Sequence, residues 1–200
     1  MGSPARLRAQ LSVLLVAAVL VAVGAVVWTR LAADDDASSG DEVRLDTPGA
    51  YMEPGGPTNP PLPTDELPDV ELVGADGSAV RLRDGDDRPM VVNLWYSTCP
   101  PCARELADFA DVESELGDQV RFVGINPYDT AAAMERFAAD RGVQFELLRD
   151  PEFAFADELR IVAYPVTLFV DADGRILERT GPIDDGELRQ EISEQFGITT

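Results

Sequence analysis

The sequence predicts an α/β fold, a sheet with helices on both faces, on three observations. From about residue 67 onward, short strand-like apolar runs alternate with segments whose apolar residues recur at helical spacing. Glycine-bearing turns punctuate them. One run, Met90 to Tyr96 (MVVNLWY), is apolar nearly throughout, as a central strand covered on both faces must be.

The elements follow in order. Val70 to Val73 and Ala79 to Leu82 flank Ala75-Asp76-Gly77-Ser78 and read as a hairpin. After the Met90–Tyr96 strand, a helix is predicted from Cys99–Pro101 to about Leu116, because Leu106, Phe109, Ala110 and Val112 share a helical face and Gly117 supplies a stop. A strand at Val120–Ile125, a helix at Thr130–Arg141 ended by Gly142, and a strand at Gln144–Leu148 come next. A short helix near Phe153–Leu159 precedes strands at Val166–Val170 and Ile176–Arg179, joined by Asp171-Ala172-Asp173-Gly174. Gly186–Phe196 closes the chain as an amphipathic helix.

What precedes this domain has a different composition. Residues 1–10 carry Arg6 and Arg8, and residues 11–28 (LSVLLVAAVLVAVGAVVW) hold no charge. At ~1.5 Å per residue that run reaches about 27 Å, enough to cross a bilayer core with help from its interfaces. It is longer than the apolar core of a cleaved signal, and Leu31-Ala32-Ala33 makes a poor small-x-small site, so an uncleaved anchor is expected. Basic residues lie before the span and Asp34, Asp35 and Asp36 after it, which places the N-terminus in the cytoplasm and the rest outside, in a single-pass cell-membrane protein. Residues 29–66 are acidic, then crowded with Pro54, Pro57, Pro60, Pro61 and Pro63, and read as an extended extracytoplasmic tether that cannot offset its own ordering entropy. Residues 67–200 form the folded domain.

Charge and composition exclude several functions. The formal net charge is −21, with 37 acidic residues against 16 basic ones, all of them Arg. No clustered positive surface is available for phosphates, so a nucleic-acid partner is excluded. With no His in the chain, Ser-His-Asp and Cys-His catalysis are excluded too.

The chemistry then falls on the two cysteines, Cys99-Pro100-Pro101-Cys102, placed directly after the buried strand and at the start of a helix. Unpaired N–H groups and the positive end of the helix dipole stabilise a thiolate there, which predicts a lowered pKa for Cys99 and an exposed, attacking sulfur. Pro100 and Pro101 have no N–H to offer, fit the first helical turn, and stiffen the ring between the sulfurs. Cys102, one turn inward, is placed to resolve a mixed disulfide at Cys99. A zinc site would need ligands this chain lacks, so no metal is expected, and a purely structural disulfide across so short a loop would remove little unfolded-state entropy. No cofactor is called for beyond the redox-active pair itself.

Glu105 follows Cys102 by three positions and shares its helix face; it reads either as a partly desolvated carboxylate exchanging a proton with the Cys102 thiol or as a solvated helix charge. Asn93 is a polar group in an apolar strand, expected to be buried and hydrogen-bonded near the site or in the ordinary core. Tyr164-Pro165 opens a strand region, where Pro marks a strand start, an edge or a cis bond.

Taken together, MVVNLWYSTCPPCARE and YPVTLFVDADGRI resemble the TlpA/ResA-like branch of the thioredoxin superfamily, over about Leu67 to Gly197. The resemblance implies a thioredoxin-like fold, a central mixed sheet flanked by helices, with an N-terminal β-hairpin extension, Cys99 as nucleophile, Cys102 as resolving thiol and Pro165 as a cis proline facing the disulfide. It further implies that the backbone of Tyr164 pairs with a substrate chain and that Glu105 is the acid of a WxxxCxPCxxE pattern. Asn93 then stands where cytosolic thioredoxins keep a buried acid. Trp95 and Thr98 are expected on the substrate-facing surface, with Thr98 standing where the family often has Trp. Such proteins exchange disulfides of exported proteins; many take electrons from a membrane thiol donor and reduce apocytochrome c during cytochrome c maturation, and others act as oxidants or general exchange catalysts. Two other functions fit a domain of this kind: a peroxiredoxin-like peroxidase, whose Pro-x-x-x-Thr-x-x-Cys pattern is missing here, and a redox-inert, membrane-tethered binding module.

Overall fold

The computed structural model describes residues 58–84 and 86–199. The expected anchor at residues 11–28 and most of the expected tether therefore lie outside the described residues. Among the described residues no helix is long and apolar enough to cross a membrane.

Seven strands form one mixed sheet: β1 (Leu72–Gly74), β2 (Ala79–Val80), β3 (Met90–Leu94), β4 (Arg121–Asn126), β5 (Glu146–Arg149), β6 (Val166–Val170) and β7 (Ile176–Thr180), in the order β2-β1-β5-β4-β3-β6-β7. The helices are α1 (Pro100–Leu116), α2 (Ala131–Ala139), α3 (Ala154–Glu158) and α4 (Asp185–Phe196). Every element predicted from Val70 onward is present, with ends shifted by a few residues. β3 runs parallel to β4 and antiparallel to β6, and all five residues of both β3 and β6 are buried. Two-sided cover accounts for the continuous apolar run that announced β3.

Alternation along β3 sorts its side chains between two cores. Val91 and Trp95 join Leu106, Phe109 and Val112 of α1, Met134 of α2 and Leu188 and Ile192 of α4. Met90, Val92 and Leu94 join Phe155 and Ala156 of α3 together with Leu67 and Leu72. Asn93 lies between Val91 and Trp95 in the sequence and so faces α1, and the register sets it opposite Thr167 of β6.

The β1–β2 hairpin turns through Gly77 at φ +85°, a conformation that favours glycine, and Asp76 accepts a hydrogen bond from the Ser78 amide. The hairpin joins the sheet by antiparallel pairing of β1 with β5.

One expectation needs correction. The stretch 29–66 was expected to be an extended tether throughout, yet its last residues are docked on the domain. Asp65 O accepts from the Ile176 amide at 2.7 Å, Glu66 pairs with Arg175 in an isolated bridge, and Leu62 packs on the second core. Upstream, Asn59 and Pro60 hydrogen-bond to Ala163 and Arg179. Prolines bar this segment from helix and inner strand, but they leave carbonyls and side-chain amides free to pair. Residues 59–66 are therefore part of the folded unit.

Candidate active site

Cys99 and Cys102 are joined in a disulfide at the head of α1, with Cα atoms 5.3 Å apart. Cys99 is the N-cap, in extended conformation, and its Sγ accepts a hydrogen bond from the Cys102 amide at 3.3 Å. Pro100 and Pro101 occupy the first two helical positions, where a missing N–H costs nothing because it would have no intrahelical partner. The sequence expectation of an exposed Cys99 is overturned: the residue is 2% exposed and belongs to the core shared by β3 and α1. Pro100 and Thr98 on either side are the exposed positions. In this disulfide form a partner meets the rim of the site before it meets the sulfur.

Beneath the disulfide, Glu105 is 3% exposed, which removes its reading as a solvated helix charge. Its carboxylate accepts from Asn93 Nδ2 at 2.8 Å and from the Ile183 amide at 3.2 Å, and Asn93 Nδ2 also donates to Thr167 Oγ1 at 3.1 Å. Burial disfavours the charged form and outweighs these two hydrogen bonds, so the Glu105 carboxyl is pushed up to about 7. The nearby Asp108 carboxylate adds to the rise. Glu105 also lines a cleft of about 390 Å³ between α1 and the start of α4, where Pro101, Asp108 and Asp184 form part of the wall. Its proton thus has a way to solvent that does not pass through the disulfide.

The Tyr164–Pro165 peptide bond is cis, and Tyr164 lies against both cores. Its ring meets those of Tyr96 and Tyr128 edge-on, with centroids 5.5 and 5.7 Å apart, and Tyr96 and Tyr128 meet at 4.9 Å. Burial pushes the Tyr164 hydroxyl well above the usual phenol range. The expected substrate-facing role of Trp95 does not fit its position. It is fully buried, stacked on Phe137 at 5.7 Å, because it shares the α1-facing side of β3 with Val91 and Asn93. The ring passes so close to β4 that a Cβ on Gly124 would lie 2.8 Å from Trp95 Nε1.

Sequence reasoning missed a polar clamp ahead of Cys99. The Asp129 carboxylate accepts from the Ser97 amide, the Ser97 hydroxyl and Asn126 Nδ2, each at 2.7 Å. Asn126 Oδ1 in turn accepts from the Tyr128 and Asp129 amides, closing the turn after β4. The signal available was the Asn-Pro-Tyr-Asp-Thr stretch, in which Asn and Asp favour such turns; its contact with Ser97 spans 32 positions and has no local signature. Among the described residues no group of three or more Cys, Asp or Glu is placed to hold a metal.

A disulfide between two cysteines at CxxC spacing on a helix N-terminus, with a buried carboxyl one turn along the same helix, in a mixed sheet that also carries a cis proline at the head of one strand, defines a thiol-disulfide oxidoreductase of thioredoxin-like fold. The chain belongs to the AhpC/TSA family, whose model matches residues 63–179, and within the thioredoxin superfamily it is TlpA/ResA-like. It is 24% identical over 126 residues to the thiol-disulfide oxidoreductase ResA of Halalkalibacterium halodurans, covering 62% of this chain and 69% of that protein. With the thiol:disulfide interchange protein HelX of Rhodobacter capsulatus it shares 31% identity over 133 residues, 64% of this chain and 73% of the relative. Among solved structures, a secreted Mycobacterium tuberculosis disulfide oxidoreductase homologous to E. coli DsbE superposes with a TM-score of 0.56 at 22% identity, covering 63% of this chain and 96% of that one. That likeness shows the shared fold. The named relatives favour disulfide exchange over the peroxidase and the redox-inert module.

Proposed function

We propose that this chain is a membrane-tethered thiol-disulfide oxidoreductase that works outside the cytoplasm, reducing disulfides of exported proteins, with apocytochrome c as a substrate in cytochrome c maturation and a membrane thiol donor as its source of electrons. The observation that carries the proposal is the Cys99–Cys102 disulfide at the head of α1 with the Glu105 carboxyl buried beneath it. Support for the tether comes from the uncharged run at residues 11–28, and for the orientation from Arg6 and Arg8 before that run and acidic residues after it. The interchange proteins among its relatives support protein disulfides as substrate.

In the reduced enzyme the Cys99 thiolate, favoured by the N–H groups of the first turn of α1, attacks one sulfur of the partner's disulfide. The other partner sulfur leaves as a thiolate and takes up a proton. Cys102 then loses its proton and attacks Cys99, which expels the second partner sulfur, also to be protonated. Two electrons and two protons have passed to the partner, and the enzyme keeps the Cys99–Cys102 disulfide. Cys102 is fully buried, so its proton needs an internal acceptor, and Glu105 is the buried carboxyl near enough to neutrality to serve. The membrane donor returns the two electrons by the reverse exchange.

Cys99→Ser should abolish insulin reduction by the full-length protein, whereas a redox-inert binding module would keep its partner unchanged. Retained reduction in that variant sinks the proposal. The direction is tested by the cysteine redox state in cells: a reductant is held mainly as the dithiol, and a pair found fully oxidised in growing cells would reverse it.

A further inference from the structure

The Asn59 side chain reaches across 104 positions of sequence to grip the peptide group of Ala163 on both sides. Its Nδ2 donates to Ala163 O at 2.8 Å, and its Oδ1 accepts from the amides of Val162 and Ala163 at 2.7 and 2.9 Å. An amide side chain carries one acceptor and two donors in one plane, so it pairs with a strand as a neighbouring peptide would. The segment it holds, Val162 to Tyr164, runs from the buried anchor Ile161 to cis Pro165.

Two independent features mark that segment as a place where another chain docks. Val162 and Tyr128 are each 58% exposed, far above the other large apolar residues of the domain, and both stand beside Tyr164. Next to the gripped Ala163, the backbone N–H and C=O of Tyr164 have no hydrogen-bond partner among the described residues. An open peptide edge flanked by exposed apolar side chains fits an extended chain that pairs by its backbone and lays an apolar side chain against Val162 and Tyr128.

We propose that Asn59 is a positioning residue for protein substrates: it fixes the Val162–Tyr164 edge so that an extended partner segment with an apolar residue beside its cysteine pairs there and is held over the disulfide. This rests on the disulfide-exchange reading. It makes the end of the tether part of the substrate-binding edge. Asn59 touches neither sulfur, so its loss affects the docking of a chain and leaves the chemistry of the dithiol alone.

The test compares Asn59→Ala and Asn59→Asp with wild type in the detergent-solubilised full-length chain, using insulin disulfides as protein substrate and oxidised glutathione as a small one, with dithiothreitol as the electron source and its uncatalysed rate subtracted. Asn59→Ala should raise KM for insulin about tenfold, as expected for lost hydrogen bonds at a docking edge, with kcat within about twofold. The glutathione rate and the reduction potential should stay at the wild-type value. Asn59→Asp keeps the acceptor for both amides and loses the donor, so its KM should fall between the two. An unchanged insulin KM, or insulin and glutathione rates that fall in step, overturns the inference while leaving the exchange activity standing. A wild-type chain that does not reduce insulin overturns both.

Discussion

Glu105→Gln isolates the energetic consequence of burying an ionisable carboxyl behind the disulfide. In the folded protein this carboxyl titrates at about 7, against an ordinary value of 4.5. The folded state therefore binds the proton more tightly than the unfolded state, and this contribution to stability is fully present below pH 4.5 and is lost as pH rises through 7. Each pH unit inside that window is worth about 1.4 kcal/mol. Between pH 5 and pH 8 wild type should lose about 2 to 3 kcal/mol of unfolding free energy that the Gln variant does not lose. The variant carries a constant penalty of its own, because one face of the amide must accept from Asn93 Nδ2 and the other meets the Ile183 N–H. That offset does not depend on pH, so the difference between the two proteins is the informative quantity.

The assay is guanidinium unfolding of the oxidised proteins at half-unit steps from pH 4.5 to 8.5, with every other carboxylate cancelling in the comparison. The unfolding free energy of wild type minus that of the variant should fall with rising pH and level off above pH 8. A flat difference would mean that Glu105 stays charged in the folded protein, and the assignment of its proton to exchange with Cys102 would fall with it.

Two further perturbations probe the supports of the site. Asp129→Ala leaves the Ser97 amide, the Ser97 hydroxyl and Asn126 Nδ2 without their shared acceptor, and hydrogen bonds to a charged group are worth about 1.5 to 3 kcal/mol each; with partial access of water a loss of about 3 kcal/mol is expected in denaturant unfolding, and a loss under about 0.5 kcal/mol would show that the clamp is ornamental. Gly124→Ala sets a methyl group 2.8 Å from Trp95 Nε1 and 3.0 Å from Leu147 Cδ2; overpacking of this kind costs about 1 to 3 kcal/mol, and a variant as stable as wild type in the same assay would show that the Trp95 ring can move aside.

The fold was legible because its main signals are local. The apolar run of β3, the Leu106–Phe109–Val112 stripe of α1 and the Asp-Gly turns each lie within a few residues. The active-site centre was legible for the same reason, since a cysteine pair at a helix start carries its chemistry in its spacing. Asn93 and Glu105 were singled out one at a time, but their union with Thr167 and the Ile183 amide depends on strand register and on the loop before α4. Trp95 was misplaced although the information was present, because alternation with Val91 and Asn93 already assigns it to the α1-facing side. Asn59 was hidden by composition. Prolines on its C-terminal side argue for an extended chain, and an extended chain is compatible with being docked as well as with being free.

The burial of both sulfurs has a consequence for how exchange is ordered. With Cys99 at 2% exposure and Cys102 at none, solvent does not wet the disulfide, so a charge developing on either sulfur is stabilised by the protein or not at all. For Cys99 the hydrogen bond from the Cys102 amide and the end of α1 supply that stabilisation. Cys102 has no such cap. A negative charge there would lie in the same buried region as an ionised Glu105, and two like charges in a poorly solvated site raise each other's proton affinity. In the proposed mechanism this conflict is relieved when Glu105 takes the proton as Cys102 becomes nucleophilic and passes it to solvent through the cleft beside Asp108 and Asp184. The proposed order agrees with these electrostatics: Cys99 attacks first, where the head of α1 favours a thiolate, and resolution by Cys102 waits on the Glu105 carboxyl.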